Sequence, residues 1–124
     1  MRSLPMPPGA SARQLAGYAA EQRALDYLSA RGLRLLARNY RVRVGELDLV
    51  MADGADIVFV EVRRRSSIGW GGAAASVTPQ KQARVRRAAQ TFLADRWGAR
   101  RWPPMRFDVV AIEGERLDWI RAAF

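Results

Sequence analysis

Two hydrophobic rhythms run along the chain, and their alternation outlines the fold. From Ser11 to Arg31 apolar positions recur at helical spacing, with Tyr18, Leu25 and Leu28 on one stripe, and Gly32 follows as a stop. LRLLARNYRVR, from Leu33 to Arg43, is apolar and aromatic enough for a strand. GELDLVM and DIVFVEV then alternate around Ala52-Asp53-Gly54-Ala55, a hairpin signal. Ser66 to Val77 is rich in small residues and predicts a loop. Thr78 followed by Pro79 has the cap-then-proline signature of a helix start, and this helix should reach about Trp97, before Gly98. RFDVVAI and RLDWI predict two last strands around Glu113-Gly114-Glu115. The predicted order is α-β-β-β-α-β-β, an α/β domain with a mixed β-sheet flanked by helices. In a chain of 124 residues, 1–10 read as a flexible leader and 11–124 as a single domain.

The same alternation puts acids where they are costly. If the turn pairs Ala52 with Ile57, then Leu47, Leu49 and Met51 share a core face with Val58, Val60 and Val62. The other face takes Asp48, Val50, Phe59, Glu61 and Arg63, and the register sets Asp48 across from Glu61. Like charges directly opposed destabilise a sheet. Either a bound cation or an arginine such as Arg63 is needed to offset them. Glu21 lies on the apolar stripe of the first helix, so a third carboxylate is expected on the same sheet face.

Composition narrows the chemistry. With no Cys and no His, zinc ribbons, disulfides, histidine nucleases and Ser-His-Asp triads are excluded. Any metal site must use oxygen ligands, which suits Mg²⁺ or Mn²⁺. The chain has 21 Lys plus Arg against 12 Asp plus Glu, a formal charge of +9, and Lys81 is its only lysine. A polyanionic partner and a plain compositional preference for arginine both account for that excess, although arginine forks suit phosphate in particular. Neither a signal peptide nor the ~18 consecutive apolar residues of a membrane span is present, so a cytoplasmic protein with no membrane partner is expected.

Taken together, GELDLV, FVEVR, RFDVV, the helix AEQRALDYL and the final AF resemble the YraN family, placed among restriction-endonuclease-like proteins and similar to archaeal Holliday-junction resolvases. The resemblance covers nearly the whole chain after the leader. It implies a PD-(D/E)xK site, in which an acid on one strand and an E-x-K on the next hold Mg²⁺ or Mn²⁺ for phosphodiester hydrolysis. Carried over, Glu21, Asp48, Glu61 and Arg63 are the catalytic set, with Asp48, Glu61, the main-chain carbonyl of Val62 and Glu21 as metal ligands. Kinship with the resolvases also implies a homodimer.

The departure is Arg63, which stands where the motif has lysine. Arginine does not deprotonate in a protein, so it cannot be a general base, though it can stabilise charge on a phosphate. Lys81 either supplies the missing amine or makes a plain phosphate contact. For DNA, Arg64, Arg65, Lys81, Arg84, Arg86 and Arg87 are the candidate backbone contacts, and Trp70 either stacks on an unpaired base or caps the core. No phosphate-binding loop with a GK[ST] ending is present, which argues against nucleotide hydrolysis. Asp108 reads as structural. Two functions stay open: a metal-dependent, structure-selective DNA endonuclease of recombination or repair, and a nucleic-acid binder that keeps the fold without turnover.

Overall fold

A computed structural model describes residue 9, residues 11–64 and residues 77–124. Ser11 opens the first helix with a capping box: its hydroxyl accepts from the Gln14 amide at 3.1 Å, and the Gln14 side chain accepts from the Ser11 amide at 2.8 Å. Helix α1 runs Ala12–Ala30. Strands β1 (Arg34–Val42), β2 (Gly45–Asp53) and β3 (Asp56–Arg64) follow as an antiparallel meander. Thr78 caps helix α2 (Pro79–Trp97), with Pro79 in the first turn, where a missing N–H costs nothing. This helix makes the crossover to β4 (Met105–Glu113), which lies parallel to β3, and β5 (Arg116–Ile120) closes the sheet antiparallel to β4. The five strands lie side by side in chain order. Every predicted element is present in its predicted place; the loop predicted up to Val77, with Arg65 and Trp70, lies almost wholly outside the described residues.

Both faces of the sheet are buried, each under its own helix. Leu49, Met51, Val58, Val60, Val110 and Ile112 pack against Ala20, Ala24, Leu25 and Leu28 of α1. Val50, Ile57, Phe59 and Phe107 pack against Val85, Ala88, Ala89, Phe92 and Leu93 of α2. The hairpin register is the expected one, with Ala52 opposite Ile57 and Val50 opposite Phe59.

One expectation is corrected. Leu47 belongs to the α2 core and not to the face it was expected to share with Leu49. The reason is a reversal of faces shared by β1 and β2. Arg38 pairs with Leu49 and Tyr40 with Leu47, and the ladder skips the position between them, where Asn39 and Asp48 fall. Asn39 adopts φ of 53°, a left-handed conformation that asparagine tolerates better than most residues. Arg38 consequently reaches α1, where it donates to the Tyr18 carbonyl, while Tyr40 reaches α2 and donates to Asp95 at 2.9 Å. Regular alternation would have sent both the same way.

Behind the opposite end of the sheet sits Asp108, fully buried. It accepts from Arg106 Nε at 3.1 Å, from Trp119 Nε1 at 2.9 Å and from the Ala122 amide at 2.9 Å. Arg106 also reaches Asp53 at 2.9 Å, tying the β2–β3 turn to β4. The residue set aside as structural is the anchor of the C-terminal strands. Replacing it, Asp108→Ala, strands three donors and should cost on the order of 3 kcal/mol in urea denaturation; a loss below about 1 kcal/mol would mean that solvent readily replaces this network.

Candidate active site

Beyond the rung pairing Leu49 with Val60, β2 and β3 cease to pair: β2 stays with β1, and β3 stays with β4 out to Arg64. A fork opens between them. The Val62 amide, on the side facing β2, donates to Asp48 Oδ2 at 2.9 Å, so a side chain replaces the missing ladder bond. Asp48 is thereby aimed across the fork toward β3.

Glu61 stands at the root of the fork with 2% of its surface exposed. Burial first, and the neighbouring Asp48 charge second, push its carboxyl up to about 8. Asp48 is raised too, mainly by burial, against the opposing pull of the Val62 amide and Lys81. Each shift has the same meaning: the place is short of positive charge. Lys81, from the first turn of α2, brings Nζ to 3.9 Å from Glu61 Oε2. Arg63 adds a favourable charge for both acids, yet its buried Nε has no hydrogen-bond partner among the described residues.

Glu21 approaches Asp48 from the α1 side. Its carboxyl is raised by burial and then by Asp48, while Asn39 and Arg38 oppose the rise. Glu21 Oε1 accepts from Asn39 Nδ2 at 3.1 Å and meets Arg38 Nε at 3.4 Å. Arg38 itself is almost buried, with 4% of its side chain exposed, donates to Gln22 Oε1 at 2.7 Å, and lies over the Tyr18 ring at 4.1 Å. The acids therefore do not converge under one helix. Glu61 shares its face with Phe59 under α2, Glu21 comes from α1 on the opposite face, and Asp48 lies between them. Among the described residues no group of three or more acidic side chains is placed to hold a metal ion. Arg38 and Asn39 went unnoticed in the sequence because a strand arginine there reads as surface.

The basic residues divide likewise. Arg64 lines a groove beside α1 together with Arg23 and Ala20, whereas Lys81 and Arg84 line a cleft on the α2 side. Arg86 lies over the rings of Phe107 and Phe124, at 5.0 and 5.4 Å. Arg87 is exposed on α2, and Arg65 and Trp70 lie outside the described residues. No helix among the described residues is long and apolar enough to cross a membrane.

An α/β domain with a five-stranded mixed sheet, carrying a buried Glu61 beside a half-buried Asp48 where two strands part, is the class that fold and site define. Residues 20–112 match the model of the Uncharacterised protein family UPF0102. A UPF0102 protein of Ralstonia nicotianae is 57% identical over 124 residues, covering 97% of this chain and 92% of the relative. UPF0102 proteins of Cupriavidus taiwanensis and Halorhodospira halophila are each 55% identical, over 90% and 87% of this chain and 84% and 85% of those relatives. The chain belongs to the UPF0102 family, which is the YraN family its sequence resembles.

The raised acids set a pH dependence. A carboxyl whose folded pKa exceeds its unfolded value contributes stability below the unfolded value and loses it as pH rises through the folded one. For Glu61 that window runs from 4.5 to about 8. Without divalent metal, the stability of the wild-type protein should fall between pH 5 and 8, whereas Glu61→Gln should flatten this fall and be the more stable of the two at pH 8. Urea denaturation at both pH values measures it; parallel curves for the two proteins would contradict the assignment.

Proposed function

We propose that the chain is a Mg²⁺- or Mn²⁺-dependent endonuclease acting on DNA in the cytoplasm, with structure-selective cleavage in recombination or repair. The observation that carries this reading is the carboxylate pair at the fork, raised in pKa and short of counter-charge. A buried acid facing a half-buried one is unfavourable unless a cation joins them, and an oxygen-only donor set suits a hard divalent ion. Asp48 keeps one oxygen free of the Val62 amide, Glu61 contributes a second carboxylate, and the Val62 carbonyl is the main-chain donor of the set that the family resemblance implies. When bound, the ion would supply Lewis acidity, giving a more acidic attacking water and a shield for the leaving oxyanion.

The chain's own residues then have separable roles. Asp48 and Glu61 hold the cation. Glu21, steadied by Arg38 and Asn39, stands on the α1 side of Asp48 and would join the set through a water. Arg63, with a buried Nε left over, offers donors to a phosphate oxygen and stabilises the charge that builds on phosphorus. Being always protonated, it takes no proton from the attacking water.

A second reading, a nucleic-acid binder without turnover, draws on Lys81. Its ammonium, at 3.9 Å from Glu61, is a cation supplied by the protein itself. Melting curves with and without Mn²⁺ separate the two readings. For the nuclease, Mn²⁺ at about a hundred times its Kd should stabilise the wild type by about 2.7 kcal/mol. It should leave Asp48→Asn with Glu61→Gln unmoved, and the double variant should lose Mn²⁺-dependent cleavage of branched, flapped and single-stranded DNA while keeping DNA affinity. A wild-type melt indifferent to Mn²⁺, with no substrate cut, would leave the binder.

A further inference from the structure

On the α2 side of the fork, the turn joining β1 to β2 leans against the start of α2. Its approach is as close as backbones allow. A Cβ at Gly45 would sit 2.5 Å from the Arg84 carbonyl oxygen, so only glycine admits this contact. The two elements enclose a cleft of about 380 Å³ whose cations come from both walls: Arg41 and Arg43 from the turn, Lys81 and Arg84 from the helix. Among the described residues Glu46 is the one acid lining it, and it already meets Arg41 Nε at 3.4 Å, near the surface.

Two of these four cations already have an acid nearby, Arg41 beside Glu46 and Lys81 beside Glu61, yet the concavity keeps a positive excess that favours an anion. The amino end of α2 adds the positive end of a helix dipole to the same wall. At this size the cleft takes one or two phosphate groups of a strand, not the width of a duplex. Its position says which phosphates: Lys81 lines the cleft and also stands 3.9 Å from Glu61, so one side chain joins the cleft to the neighbouring acid pair, which does not itself line it.

We infer that this cleft is a phosphodiester-binding subsite, in which Arg41, Arg43, Lys81 and Arg84 hold the backbone phosphate next to the one presented to Asp48 and Glu61. The inference rests on the nucleic-acid reading above and adds the β1–β2 turn to the interface. As phosphate contacts, Arg41 and Arg43 carry no sequence preference, because the backbone phosphates are alike at every base.

The test uses the full chain and a fluorescein-labelled single-stranded DNA, titrated over a series of salt concentrations. Arg41→Gln with Arg43→Gln is compared with Arg13→Gln with Arg34→Gln, a control that removes the same charge from exposed arginines on α1 and at the far end of β1. All four positions are exposed, so melting temperatures should match the wild type and are checked. The cleft variant should lose at least about ten-fold in affinity. Its slope of log affinity against log salt should become shallower by about 1.4, the loss of two phosphate contacts on a single strand, whereas the control should lose less than about three-fold. A wild type that binds with a steep salt slope, beside a cleft variant no weaker than the control, would overturn the subsite and leave the nucleic-acid reading intact. A wild type that fails to bind DNA would overturn both.

Discussion

When β2 and β3 separate beyond Leu49 and Val60, the amide of Val62 loses a main-chain acceptor, and the carboxylate of Asp48 takes its place at 2.9 Å. Much of the site follows from that one substitution. A buried amide left unpaired would cost about 1–3 kcal/mol, so the fork is tenable only with an acceptor at position 48. Once Asp48 serves there, its direction is fixed: it lies between strands, visible to Glu61 on one side and to Glu21 on the other. The hydrogen bond that holds the strands at the fork is the same one that positions an acid in it.

Around that acid the protein distributes cations with some economy. Arg38 and Asn39 engage Glu21 on the α1 side, and Lys81 approaches Glu61 on the α2 side. Yet Glu61 remains raised to about 8, so these charges do not make up for burial and for Asp48. An ordinary structural ion pair has the opposite signature: a partner's charge outweighs burial and the carboxyl goes down. Asp108 shows what full structural engagement looks like in the same molecule, with donors from Arg106, Trp119 and Ala122 closing around it. Two buried acids, one saturated with donors and one left wanting, mark the difference between an anchor and a site.

Most of the architecture was legible in the sequence because its signals are local. Helical spacing from Ser11 with Gly32 as a stop outlined α1, Thr78 and Pro79 start α2, and the turn at Gly54, pairing Ala52 with Ile57, sets Val50 opposite Phe59. Asp48, Glu61 and Glu21 stood out as acids among apolar neighbours. The choice of face was not legible. Alternation divides a strand into two sides without saying which helix covers which, and it was carried through Asp48 as though the strand were regular. A bulge between Leu35 and Ala37 and a left-handed residue at Asn39 both break the alternation of β1, and neither leaves a trace in a hydrophobic pattern. Arg38 was hidden for a related reason: an arginine in a strand looks solvated until a partner helix supplies Glu21, Gln22 and a tyrosine ring.

The reversal of face at Asn39 also explains why the turn beyond it lies against α2. Before Asn39, β1 directs Arg38 under α1; after it, Tyr40 packs on Phe92 at 5.3 Å between ring centres, in the α2 core. The end of the β1–β2 ribbon is thus drawn toward α2, and Gly45 lets it come to rest on the Arg84 carbonyl. Without the reversal, Tyr40 and Leu47 would point to the α1 side, and nothing would hold the turn beside the first turns of α2. The basic walls around Lys81 exist because a residue in the middle of β1 accepts a left-handed backbone, and that same residue places a side-chain amide on Glu21. The break in the ladder at Asn39 therefore couples the two sides of the fork: its side chain steadies an acid on one, and its backbone turns β1 toward α2 on the other.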